Sequence, residues 1–254
     1  MQRAASAAYS PIPGSLRSSW GLLFSLASQK PKIRRRRPVL VKSERTFVRR
    51  LLKWYQGNRR DFPWREASRT PYEVLVAELM LQKTIAIKVV GVYEAFLEKY
   101  PTPAALATAS VAEIMGDIEV LGLHVVRAKG FKELGKKILD EHGGEIPREK
   151  DALEALPGVG RYIANAVRCF AFGEDAALVD TNFSRVLGRV FYGDGKSLPP
   201  GKPDSWVFAQ KLIPRGRSRE FNYAVLDFAS KICKAKGARH EACPVNDICA
   251  FVRP

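Results

Sequence analysis

The chain has 254 residues, 46% of them hydrophobic, enough for one large or two modest domains with real cores. Its 42 Lys and Arg exceed its 26 Asp and Glu by 16, and a surplus that large points to a polyanionic partner, nucleic acid or an anionic membrane surface. No run of about 18 apolar residues occurs, which excludes a membrane-spanning helix, and the short apolar stretch at 20–26 lacks the cleavage site of a secretory signal.

Residues 1–43 hold nine Lys or Arg and no acidic residue, with a block at 34–37. Ser, Pro, Ala and Arg dominate there, so the segment reads as a disordered basic tail. Its acid-free, Arg- and Ser-rich start fits an organelle transit peptide and a basic arm equally well. The other 211 residues carry 33 basic against 26 acidic side chains, so the body is basic without the tail.

From Glu44 the pattern turns helical, with Phe47, Val48, Leu51, Leu52 and Tyr55 on one face. Pro63 and Pro71 break it. The span from Tyr72 to about Ile87 is apolar around most of its circumference and predicts a buried helix. Val89, Val92, Tyr93, Phe96, Leu97 and Tyr100 form an amphipathic stripe. Ser110 and Glu113 have capping-box spacing and open another short helix. A helix over 125–142, with Phe131, Leu134 and Ile138 inward, stops at Gly143-Gly144. Short helices follow at 148–155 and 161–172, then 181–191, a Gly/Pro loop at 193–203 and two more helices. No strand and no repeat is visible, so the predicted class is all-α.

Three places carry chemistry. In Leu156-Pro157-Gly158-Val159-Gly160-Arg161, two glycines form a tight turn between helices. They permit backbone conformations closed to other residues and a close approach by another backbone. The next helix presents free N–H groups beside Arg161, which suits a DNA phosphate; an ordinary helix–helix turn is the other reading. Asp180 stands where the helix after Gly173 begins, a favoured N-cap position. Facing a positive helix end suits its anionic form, and such a carboxylate can stabilise a cationic sugar or activate water. Glu78 lies in the apolar stretch Ala77-Glu78-Leu79-Met80-Leu81-Gln82, where it needs a partner or a task unless it faces solvent. Of the four cysteines, Cys169 reads as a buried inert thiol. The other three cluster near the end, and without a secretory signal that favours metal over disulfides.

The hairpin, the aspartate and the cysteine segment, in this order and spacing, resemble the helix-hairpin-helix, endonuclease III-like superfamily of DNA glycosylases. The likeness runs from Phe62-Pro63-Trp64-Arg65 to the C-terminus. It implies two helical lobes, one over 72–177 with the hairpin at about 148–172, the other combining 44–71 with 178–254. Duplex DNA would lie across the cleft. By the same resemblance Asp180 is catalytic. Bifunctional members carry a Schiff-base lysine where Tyr162 stands, so a monofunctional enzyme is implied: base removed, strand left intact. Tyr162 followed by Val179-Asp180-x-Asn182-Phe183 most resembles the G/T-mismatch thymine and uracil glycosylases. Gly158, Gly160, Arg161 and Asn182 then belong to the DNA-binding surface, Gln82 fills the space left by the flipped base, and Leu123 is the intercalating wedge. Glu78 matches the acid of the adenine glycosylases, which act opposite guanine or 8-oxoguanine and form the first rival. The short C-terminus leaves no room for their usual extra domain. The second rival is a non-catalytic DNA-binding module.

The superfamily's [4Fe-4S] loop reads Cys-x6-Cys-x2-Cys-x5-Cys. Here Cys233, His240, Cys243 and Cys249 keep the spacing with histidine as the second ligand. An iron–sulfur cluster is the favoured reading, with zinc or a lost metal as alternatives. The implied partner is double-stranded DNA with a mismatched base, bound by a monomer inside the cell with no membrane association.

Overall fold

A computed structural model describes residues 40–252. Every regular element among the described residues is a helix, with no strand among them. The fold class therefore stands as predicted. Most of the tail, 1–39, lies outside the described residues, but its expected boundary moves. Helix α1 (Lys42–Gln56) already contains Lys42 and Ser43, because the Glu44 carboxylate accepts the Val41 N–H at 2.8 Å and closes the first turn.

The buried helix predicted over 72–87 is two helices. Thr70 caps α2 (Pro71–Leu81), Pro71 sits where its missing N–H costs nothing, and α3 (Ala86–Lys99) starts after a turn in which Lys83 has φ +54°. No Gly or Pro marks this break. Helix α4 (Pro103–Thr108), capped by Thr102, was not foreseen. Ser110 and Glu113 form the expected capping box of α5 (Val111–Asp117), with reciprocal bonds of 3.1 and 2.9 Å. The long α6 (His124–His142) ends at Gly143 in the left-handed region, as its sequence predicts. Then come α7 (Lys150–Glu154), α8 (Arg161–Phe170), α9 (Thr181–Tyr192), α10 (Pro203–Leu212) and α11 (Ser218–Lys231).

Apolar faces gather into two buried clusters. One draws on 64–178 with Tyr223; its centre includes Leu75, Met80, Tyr93, Phe96, Leu134 and Val167. The other joins α1 to 177–249, around Phe47, Leu51, Phe183, Phe221 and Phe228. Tyr55 and Tyr162 pack against both. The site lies at that junction.

Candidate active site

The hairpin runs from α7 to α8. Gly158 has φ +76°, and a Cβ there would meet Leu79 Cδ2 at 3.2 Å, so both conformation and space favour glycine. Gly160 departs from the expectation: at φ −95° and ψ 179° its backbone is open to any residue. What glycine leaves there is room, since a Cβ would meet nothing within 4 Å and no side chain caps α8. The first N–H groups of α8 therefore remain open to an anion. Arg161 is exposed, with its guanidinium 4.1 Å from the Trp206 ring centroid. Gln82 Nε2 donates to Gly158 O at 2.9 Å and ties the end of α2 to the hairpin.

A cavity of about 580 Å³ opens between the two clusters, and Glu78, Gln82, Gly160, Tyr162, Asp180 and Asn182 all line it. Gly158 and Leu123 line a neighbouring groove with Gln82 instead. Asp180 is the N-cap of α9: one carboxylate oxygen accepts Phe183 N–H at 2.7 Å, the other the Asn182 amide at 2.8 Å. Asn182 Oδ1 accepts from Arg185 at 3.1 Å, and Arg185 donates onward to Cys233 O and Ala229 O. Both polar ends of Asn182 are thus taken up by protein, in a clamp that fixes the Asp180 carboxylate.

Glu78 is 8% exposed and accepts no hydrogen bond from another described residue. Burial pushes its carboxyl up to about 7; nearby Arg65 opposes the shift and Asp180 adds to it. Burial, with Glu78 and Asp180 close by, holds the Tyr162 hydroxyl far above the usual phenol range, so it stays a neutral donor. Two carboxyl groups in one cavity thus meet different environments, one buried and raised by that burial, the other capped and clamped.

The back wall was missed by sequence reading. Asp227, fully buried on α11, accepts Arg65 in a two-pronged pair at 2.9 and 3.0 Å and Arg60 Nε at 2.6 Å. Burial alone would raise the Asp227 pKa, but the two guanidiniums outweigh it and hold the carboxyl below its usual range. Arg65 lies 4.2 Å from the Tyr223 ring centroid, and Phe62 stacks on Trp64. The signal was an aspartate inside the apolar run 223–229 and an arginine in Phe-Pro-Trp-Arg, but the pair is 162 residues apart. A larger cavity of about 850 Å³ lies beyond this wall and is lined by none of Glu78, Tyr162 or Asp180.

Cys233, His240, Cys243 and Cys249 line one small cavity of about 20 Å³, with Arg189 Nη1 at 3.6 Å from Cys233 Sγ. Three thiols and an imidazole fit iron or zinc in donor chemistry. Among the described residues no three His, Cys, Asp or Glu side chains converge closely enough to hold a single metal ion. Cys169 is buried against Ser218 Oγ at 3.1 Å, with its pKa raised to about 11 by burial. No described helix is long and apolar enough to cross a membrane.

Comparison with known proteins gives this geometry a lineage. The chain is 44% identical over 206 residues to a thymine/uracil-DNA glycosylase of Pyrobaculum aerophilum, covering 79% of this chain and 89% of that one. It is 38% identical over 210 residues to the thymine/uracil-DNA glycosylase of Methanothermobacter thermautotrophicus, covering 83% and 95%. The solved structure of a thermostable thymine-DNA glycosylase superposes with a TM-score of 0.81 at 37% identity, over 84% of this chain and 97% of that one. Residues 76–202 match the family described as HhH-GPD superfamily base excision DNA repair protein, and the chain belongs to that superfamily.

Proposed function

We propose that the chain is a monofunctional DNA glycosylase that removes thymine or uracil mispaired with guanine, acting as a monomer on duplex DNA. The observation that carries this reading is the meeting of Glu78, Tyr162 and Asp180 around one cavity between aromatic walls. The likeness to thymine/uracil-DNA glycosylases over most of both chains supports the choice of base.

The mismatched nucleotide turns out of the helix and its planar base enters between Phe62, Tyr162 and Tyr223. Gln82 and Leu123 occupy the stack it leaves. The bond from C1′ to the base nitrogen breaks with its electron pair on the base. Glu78, neutral below about pH 7, donates a hydrogen bond or its proton to the departing base. The Asp180 carboxylate, held by Phe183 N–H and Asn182, stabilises the positive charge at C1′ and guides water to it; the water oxygen bonds C1′, and the proton it sheds restores the one Glu78 gave or, where Glu78 only hydrogen-bonds, neutralises the departed base. Free base and an abasic site result. Position 162 offers a phenol, not an amine, so no Schiff base forms there.

Gly158, Gly160 and the open N–H groups of α8 receive a phosphate, and Arg161 adds positive charge beside them. Cys233, His240, Cys243 and Cys249 would hold a [4Fe-4S] cluster, which would tie the C-terminal segment to the end of α11; iron and acid-labile sulfide content distinguishes it from zinc. The two hydrophobic clusters serve as the two lobes flanking the DNA cleft.

The test is single-turnover release of thymine from a G·T duplex by the wild type and by Asp180→Asn. Loss of about 10³-fold or more, with duplex affinity retained, is expected. Equal rates, or no release by either protein, would contradict the reading.

A further inference from the structure

Among the described residues only two non-glycine positions have positive φ: Lys83 at +54° and Leu123 at +52°. Such backbone is strained for a side-chain-bearing residue and persists only where its surroundings hold it. Both residues are exposed and both line the groove beside the active-site mouth. They stand on separate turns, 82–85 after α2 and 121–123 before α6.

One side chain joins the two turns. Arg127, in the first turn of α6, spreads all three guanidinium nitrogens over main-chain and hydroxyl acceptors. Nη1 donates to Leu79 O at 2.7 Å and Met80 O at 3.0 Å, carbonyls left open at the end of α2. Nη2 donates to Gln82 O and, at 2.7 Å, to Thr84 Oγ1. Nε donates to Gly122 O at 3.1 Å, in the other turn. Thr84 Oγ1 lies 3.2 Å from Leu121 O and adds a second bridge. These acceptors are all neutral, so the fork is used here for its shape: planar, rigid and multiply donating.

We propose that Arg127 is a positioning residue for base flipping, holding the turns of Gln82–Lys83 and Leu123 as one rigid two-pronged edge that enters the duplex as a unit. This rests on the reading that the site opens a base pair. Opening a stack is expensive, and prongs free to move independently would spend their binding energy on ordering themselves. Arg127 touches neither base nor sugar; it acts through the two turns.

The experiment uses the full chain in an Asp180→Asn background and a G·T duplex with 2-aminopurine beside the thymine, its emission rise reporting unstacking in stopped flow. Arg127→Lys, which keeps the charge and loses the fork, should slow the rise about tenfold or more. Thr84→Val, which keeps the shape and leaves Arg127 in place, should slow it in the same direction and guards against misfolding of the arginine variant. Affinity for a fully matched duplex, set by phosphate contacts, should not change. A rise as fast as in Asp180→Asn alone would overturn the proposal. So would a slowed rise with an equal loss of matched-duplex affinity, which marks a merely structural residue. The assay needs no base release, so a wild type that frees no thymine would sink the functional reading separately.

Discussion

Glu78 and Asp180 share a cavity but not an environment. Burial raises Glu78 from 4.5 to about 7, so its protonated form is the one the folded chain prefers. Because the folded pKa is the higher one, the stability Glu78 allows is full below about pH 4.5 and is lost as pH rises through 7. A shift of that size corresponds to about 3 kcal/mol. Glu78→Gln, neutral at every pH, should therefore unfold at a higher temperature than the wild type at pH 8 and show no such gain near pH 4.5; thermal melts at both pH values check this. The wild-type base-release rate should fall as pH climbs through 7, and the same variant should lose that fall at an overall cost of roughly 10²-fold. Of these residues, Glu78 stood out by its local setting, an acid in an apolar stretch; Asp180 is an ordinary N-cap by its residue type, and it and Tyr162 were singled out only by the family resemblance. Asp227 with Arg60 and Arg65 was not foreseen, because each partner alone reads as an ordinary charged residue and only the fold brings them together.

Among the elements, local chemistry fixed most boundaries and tertiary contacts fixed the rest. The Ser110–Glu113 box and Gly143 behaved as their residue types dictate. The break after Leu81 carries no Gly or Pro; the side chain that hydrogen-bonds across it, Arg127, lies 45 residues beyond Gln82, so no window of local sequence contains that contact. Helix α4 was missed because it is only six residues long, too short to show a period. Its packing is nevertheless tight. A Cβ on Gly135 of α6 would lie 2.7 Å from both Ala107 N and Pro103 O, backbone atoms that cannot swing aside. Gly135→Ala should cost about 1–3 kcal/mol in denaturant unfolding. On the same helix, a Cβ on Gly130 meets nothing, so Gly130→Ala should instead gain roughly 0.5–1 kcal/mol. Two similar losses would contradict this packing account.

At the scale of the whole molecule, charge and apolar surface have separate jobs. Two hydrophobic clusters meet at Tyr162, which places the hairpin phenol beside a carboxylate from the second cluster's α9. All-α character and the order of hairpin, aspartate and cysteines were readable from the chain, whereas the grouping of α1 with the C-terminal cluster was implied only by the family resemblance, since no local pattern in 44–71 points to 178–254. Positive charge governs the encounter with DNA. Residues 1–39 carry eight Lys or Arg, and if they touch phosphates, their removal should flatten the salt dependence of duplex binding by about 0.9 in slope for each phosphate no longer neutralised; an unchanged slope in a salt titration would assign all phosphate binding to the body. The claim on which the account turns is the chemistry of the cut, and one measurement addresses it directly: single-turnover reaction with duplexes holding G·T, G·U, A·G or A·8-oxoguanine, each quenched at neutral pH or with alkali. The account predicts release of thymine and uracil, with the strand broken only after alkali. Strand scission at neutral pH, or release of adenine in place of the pyrimidines, would contradict it.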